Sequence, residues 1–395
     1  MKKSLFCLAA LCASVAHAHS DADSEVGTTV SAAISATWRD DGVILTDGAW
    51  QIPGVLMGGE AYPVEENAAV DEASLTLQHR AASGIHGLLQ ISSHDNGSEA
   101  EVHHAYAGYD LALAGTRLNL EGGRMAAAMT PSNGEHASAR LFSETPLVLD
   151  AFLGRQLNDE GLRAQWRWHG FELGAESWRG SAFPATSGED GGSHDVYLHH
   201  KGHVGTVQWY TGIWWLQADA LNRQDTRYSS GHTHGTTTTV TVPEAWFDGR
   251  TRISGAFLRL DAALSTNLHW LTQIEGLQLE AEGDLRDSTR EVELNSEHNG
   301  GWIQTSLRWQ AHEAGVRWER LALDNELTGA AASVLATEAG VYTEHDPTRT
   351  TALYSWHASP SFRVRVEWTR DETQSEAIDR IGVGLVWQET LWSQR

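Results

Sequence analysis

The sequence predicts an all-β protein: a transmembrane antiparallel β-barrel of about 16 strands (14–18) with one long loop folded into its interior. Three observations lead there. First, apolar and polar residues alternate with a period of two, as in Leu162-Arg163-Ala164-Gln165-Trp166-Arg167-Trp168 and Phe362-Arg363-Val364-Arg365-Val366-Glu367-Trp368. That period places each set on one side of a sheet, whereas a helix would scatter the charges around its surface. Second, Trp recurs at segment ends (Trp168, Trp309, Trp368, Trp387), and the chain holds 17 Trp against 8 Phe and 8 Tyr. An indole suits a membrane–water boundary, where its ring is apolar and its N–H stays wet. Third, no apolar run beyond residue 18 is long enough for a spanning helix, yet long Arg/Glu faces persist through most segments. A soluble β-sandwich explains the alternation but neither the Trp placement nor those charged faces.

The elements follow in chain order. Met1-Lys2-Lys3, the apolar run 4–15 and Ala16-His17-Ala18 read as a secretory signal peptide, 1–18, cleaved after Ala18. Residues 19–395 then form a single barrel domain in the cell outer membrane of a Gram-negative envelope. Cleavage removes both Cys (Cys7 and Cys12), so no disulfide or thiolate site remains. It also removes Lys2 and Lys3, which takes the net charge from −24 to −26. Such an acidic chain does not bind nucleic acid.

Candidate strands fall near 26–38, 73–80, 85–93, 102–112, 115–124, 161–169, 171–179, 193–203 and 205–217. They continue near 252–263, 267–275, 277–287, 301–311, 313–323, 349–358, 361–371 and 379–388. Tight turns fit at His169-Gly170, Gly202-His203-Val204, Gly276 and His312. Longer polar stretches lie at 39–72, 125–160, 180–192, 218–251, 288–300 and 324–348. Short turns at one end and long loops at the other match outer-membrane barrels. A barrel of this strand number encloses water, and the chain is too short for 22 strands plus a plug domain.

The stretch 125–160 carries Pro131, Pro146 and the apolar run 146–153, which needs somewhere to bury. It is the candidate constriction loop. Its residues His136, Arg140, Arg155 and Asp159 would face Arg163, Arg167, Glu172 and Glu176 on the wall, with Arg363, Arg365 and Glu367 also lining the lumen. Arg308, Arg317, Glu280, Glu282 and Glu319 are further expected wall charges. Arg outnumbers Lys 25 to 1 once the signal peptide is gone, which favours planar multi-donor contacts.

At the same stretch a family resemblance emerges. Gly122-Gly123-Arg124, Thr130-Pro131-Ser132-Asn133, His136 and 152–163 (FLGRQLNDEGLR), continued by Phe171–Glu176 and Arg179–Pro184, resemble proteobacterial outer-membrane proteins regulated by zinc. The likeness covers about residues 120–216, and a looser one extends to phosphate-selective-type porins. It implies an outer-membrane barrel with a tie to zinc and supplies no catalytic residues.

Histidine gives a separate clue. Of 20 His, several cluster: His103 and His104; His199, His200 and His203; His232 and His234. Neutral imidazoles suit zinc, copper or nickel. No enzyme signature such as G-x-S-x-G, H-E-x-x-H or a P-loop is present, so no enzyme is expected. The expected function is a porin-like channel for small hydrophilic solutes, with a bias to cations or metal chelates. The alternative is a non-conducting barrel that binds zinc or a metal carrier through His-rich loops. No cofactor is required under the first reading, and zinc is the candidate ligand under the second. Expected partners are outer-membrane lipid, small solutes or metal ions, and further copies in a homotrimer.

Overall fold

A computed structural model of the chain describes residues 26–43, 49–94, 100–186, 192–228 and 244–394. The signal-peptide expectation and the His232/His234 pair lie outside these residues. Among the described residues no helix is long and apolar enough to cross a membrane. Sixteen antiparallel strands close into one barrel. They are β1 (Gly27–Arg39), β2 (Asn67–Arg80), β3 (Ile85–His94), β4 (Glu101–Leu113), β5 (Thr116–Ala126), β6 (Asn158–Trp168), β7 (Phe171–Trp178) and β8 (Gly192–Val204). The second half comprises β9 (Val207–Arg223), β10 (Trp246–Ser265), β11 (Leu268–Arg286), β12 (Glu291–Trp309), β13 (His312–Thr328), β14 (Thr348–Ser359), β15 (Phe362–Glu372) and β16 (Ile378–Gln394). Each strand pairs with its sequence neighbours, and β1 closes on β16 from Thr28↔Gln394 to Arg39↔Gly382.

The lipid-facing phase is the one the alternation predicts. Leu162, Trp166, Ile303, Leu307, Trp309, Val316, Trp318, Val366 and Trp368 point outward and are exposed on the isolated chain. Their neighbours Arg163, Gln165, Gln304, Ser306, Arg317, Glu319, Arg365 and Glu367 are buried inside. This arrangement suits hydrocarbon outside and polar contacts within.

Three expectations are corrected. The separate strands at 267–275 and 277–287 are one 19-residue strand, β11, with Gly276 facing outward in its middle rather than forming a turn. The stretch 288–300 is mostly strand, and the β11–β12 connection is a tight turn at Asp287–Arg290, where Asp287 accepts from the Thr289 and Arg290 amides. The turns placed at 202–204 and at His312 sit at 205–206 and 310–311, and His312 begins β13.

A fourth correction concerns polarity. Glu280 and Glu282 point outward, while Leu277, Leu279 and Ala281 are buried inside. The strand keeps its phase, since Ile274, Gly276, Gln278, Glu280 and Glu282 share the outer face; its surroundings change. A membrane strand needs about 9–11 residues, and β9 to β13 have 17–20. Their surplus rises past the lipid band, where the outer face meets water and carries ion pairs such as Arg250–Asp219 (3.0 Å) and Arg252–Glu282 (3.4 Å). The inner face there meets folded chain instead of a lumen.

That folded chain is apolar. Ile52 and Val55 of the β1–β2 loop join Met125, Met129, Leu147, Leu149, Phe152 and Leu153, and all pack against Trp214, Leu216, Phe247, Ile253, Leu277, Leu285 and Leu294. Helix α1 (Leu147–Leu153) is buried at every position and lies against β12 and β13. Gly300 admits it: a Cβ there would stand 2.6 Å from the Val148 side chain. Pro146 precedes the helix and Gly154 ends it in the left-handed region at φ 59°. A second short helix, α2 (Ala332–Glu338), buries Leu335 and Ala336 from the β13–β14 loop.

Candidate functional site: an eyelet between the inner loop and the barrel wall

Residues 127–157 connect β5 to β6 and fold inward, which buries the apolar run 146–153 as expected. A backbone segment crossing a barrel must have its N–H and C=O groups satisfied, and wall side chains do this from all round the circumference. Glu176 of β7 accepts from the Ala128 amide (3.0 Å), and Glu275 of β11 accepts from the Thr130 hydroxyl (2.5 Å) and from Ser132. Glu72 of β2 takes the Ala137 amide (2.7 Å), Glu367 of β15 the Ser143 amide (2.8 Å) and Glu319 of β13 the Leu147 amide (2.5 Å). In the opposite sense, Arg317 donates to the Glu144 carbonyl (3.0 Å), and Arg363 donates to the Ser138 and Arg140 carbonyls. Within the loop, Asn133 bridges the Ala127 (2.9 Å) and Leu157 (3.0 Å) carbonyls.

Many of the charges expected to line the lumen therefore fasten the loop or the wall. Arg163 is buried among Glu121 (2.9 Å), Glu176 and the Ala126 carbonyl. Arg167 pairs with Glu172 along the wall. Asp159 accepts from the Gly180 (2.7 Å) and Ser181 (2.9 Å) amides and so holds the β7–β8 loop, away from any opening. Arg365 lies between Ser35 (3.1 Å), Asp71 (3.5 Å) and Glu367 (3.6 Å). Glu176, Glu367 and Arg363 are loop anchors, as described above.

A cavity of about 150 Å3 lies between residues 137–155 and the wall formed by β14, β15, β16, β1 and β2. On the wall side stand Arg39, Arg349 and Arg380, with Asp71 and Asp371. The loop side presents Arg140, Glu144, Asp150 and Arg155. Glu144 is the hub: it accepts from Arg349 (2.7 Å) and Arg380 (3.1 Å). Burial opposes its ionisation, yet the two guanidiniums prevail and hold its carboxyl well below the usual range. Burial pushes the Asp150 carboxyl up, partly offset by Arg155 at 3.3 Å. Arg155 also donates to the Tyr62 carbonyl (2.9 Å), which ties the inner loop to the β1–β2 loop above it.

Of the expected constriction residues, Arg140 and Arg155 face this opening, while His136 faces the β2–β4 wall. Sequence reasoning did not single out Arg39, Asp71, Glu144, Asp150, Arg349, Asp371 or Arg380. Asp71 illustrates why. It is the extra residue of a bulge opposite Ser35/Ala36, so Asp71 and Glu72 both turn inward and break the period of two.

The histidines distribute unevenly. His199 is buried, with Met129 carbonyl oxygen 2.9 Å from its Nε2 and the Tyr210 hydroxyl 2.9 Å from its Nδ1. His200 sits on the opposite face, its ring 4.4 Å from Phe171 and its Nδ1 accepting from Trp209 (3.0 Å), and His203 is exposed at the β8 end. These three do not converge. His103 and His104 do, together with His136.

No protein-family model matches the sequence, nor does any curated protein sequence. Solved structures do match in fold. OprB of Pseudomonas putida superposes with a TM-score of 0.54 at 10% identity, covering 92% of this chain and 94% of that one. A loop L8 deletion mutant of OmpT, an outer membrane protein of Vibrio cholerae, gives 0.53 at 11% identity over 92% and 99% of the two chains. The outer membrane channel DcaP of Acinetobacter baumannii gives 0.52 at 10% identity over 92% and 97%. The fold is thus that of the 16-strand outer-membrane barrels.

Proposed function

We propose that this protein is an outer-membrane channel of the porin type, which passes small hydrophilic solutes by diffusion through the eyelet. The observation that carries this reading is the eyelet's lining, which gathers charge of both signs from two sides: Arg39, Asp71, Arg349, Asp371 and Arg380 from the wall, and Arg140, Glu144, Asp150 and Arg155 from an inward loop. Fixed charges of both signs around a narrow opening order water and sort solutes by size and polarity. The description of DcaP as a channel supports the same reading.

The lining is nearly balanced, with five guanidiniums (Arg39, Arg140, Arg155, Arg349, Arg380) and six carboxylates (Glu65, Asp71, Glu144, Asp150, Asp371, Glu376). Such an opening favours small neutral or zwitterionic solutes. The chain's net charge of −24 draws cations toward the molecule as a whole. Metal chelates, suggested by the resemblance to zinc-regulated proteins, are a further solute class to assay. Assembly as a homotrimer is part of the proposal, and mass measurement of the detergent-purified protein checks it.

Planar-bilayer recording with asymmetric salt, joined to liposome-swelling assays with sugars and amino acids, tests the channel reading. The expected result is a small steady conductance with weak cation preference and swelling that falls with solute size. A folded barrel that is electrically silent and supports no swelling refutes it, and favours the non-conducting binding protein.

A further inference from the structure

The His103, His104 and His136 side chains form a group that the channel reading does not use. One ring nitrogen from each lies within 4.8 Å of the others, and all three residues are buried. The backbone explains how two adjacent strand residues share a face. Gln90 pairs with His104 and Ile91 with Val102, so His103 is the extra residue of a bulge in β4. A bulge re-aims side chains, and both imidazoles enter the interior. His136 arrives from the inner loop, with ring centroids 5.1 Å from His103 and 5.6 Å from His104.

The surroundings suit a metal. The Glu72 carboxylate lies 3.0 Å from His136 Nδ1. A carboxylate there fixes the tautomer and leaves Nε2 able to ligate, the usual arrangement behind a zinc-bound histidine. Glu72 is itself held by the Ala137 amide (2.7 Å). The Asn158 amide nitrogen lies 3.2 Å from His103 Nε2 and donates to the His103 carbonyl (3.0 Å); an ion bound at Nε2 takes the place of the first contact and leaves the second. The His94 ring stands 5.2 Å from His103 and offers a fourth imidazole nearby.

We infer that His103, His104 and His136 form a binding site for a borderline divalent transition ion of the Zn2+, Ni2+ or Cu2+ class, bridging the β4 wall and the inner loop. Three imidazoles with a carboxylate behind one of them match the ligand preference of these ions and not that of Ca2+ or Mg2+. The ion links His136 to β4 and so fixes the loop at the residue beside Ala137, which lines the eyelet.

The test uses untagged, refolded full-length protein titrated with Zn2+ by calorimetry. One ion per chain is expected, retained when His203, His232 and His234 are all replaced by Ala. The double substitution His104→Ala/His136→Ala abolishes it, and Glu72→Gln weakens it by about 10- to 100-fold. Absence of binding, or binding that the double substitution leaves unchanged, overturns the site. Should the double variant fail to fold, X-ray absorption of the zinc-loaded wild type decides: three imidazole ligands are expected, and one or none overturns it. These readouts are independent of conductance, so a silent barrel does not prejudge them.

Discussion

Glu144 is the group whose removal should most clearly disturb the eyelet. In Glu144→Gln the side chain keeps its size but loses its charge. Arg349 and Arg380 each lose a charge-assisted hydrogen bond, of 2.7 Å and 3.1 Å, and both guanidiniums are almost fully buried. Stripping one partner from a buried pair costs about 3–5 kcal/mol when the other charge is left alone. Here neither is left alone, because Arg349 retains Glu319 (2.9 Å) and Arg380 retains Asp371 (2.9 Å). The Gln carbonyl also still accepts. About 2–3 kcal/mol is the resulting estimate, which corresponds to a roughly 30- to 140-fold shift from the seated toward the displaced loop. Single-channel recording reads this as more frequent current fluctuations. Loss of one lining carboxylate also moves the reversal potential toward anions. If a correctly folded Glu144→Gln barrel shows wild-type noise and reversal potential, then Glu144 neither seats the loop nor faces the permeating path.

Other outcomes follow from the same geometry. The Glu144 carboxyl has a folded-state pKa held below its unfolded value, so its stabilising effect is fully present above about pH 4.3 and is lost only as pH falls through the lower folded value. Channel noise should therefore be the same at pH 7 and pH 5 as far as this group is concerned, and a rise between them would contradict the assignment. Val366→Arg places a charge on the lipid face and should destabilise the barrel by about 2–4 kcal/mol at mid-membrane depth, measured by reversible unfolding in lipid vesicles. Gly154→Ala should loosen the two inner loops, because its Cβ would meet the Gly58 carbonyl at 2.8 Å in a left-handed conformation; faster proteolysis within 49–66 is the readout.

The unpredicted eyelet residues share one cause. Arg349 and Arg380 stand at the loop-side starts of β14 and β16, and Asp371 near the end of β15. Arg320 and Arg370 follow the outward phase of Trp318 and Trp368, whereas these three follow an inward phase that many other charges share. Which of them meets the inner loop depends on how that loop crosses the barrel. The bulges at Asp71 and His103 add to this, since each reverses the inward or outward sense that a strict period of two assigns.

By itself the sequence determined the fold class, the period-two faces across the lipid band and the inward burial of 146–153, because each follows from transferring apolar groups out of water. Residues such as Trp166, Trp318 and Trp368 could be assigned a side without any knowledge of their neighbours. Tertiary structure alone decided what the inner face touches. In β11 the outward phase runs unbroken from Ile274 to Glu282, yet its polarity reverses where lipid gives way to water outside and loop atoms replace the lumen inside. It also decided the partners of the inner charges. Glu72, Glu275, Glu319 and Glu367 come from four strands far apart in the chain and meet successive groups of one loop, a pairing that exists only once the barrel has closed around it.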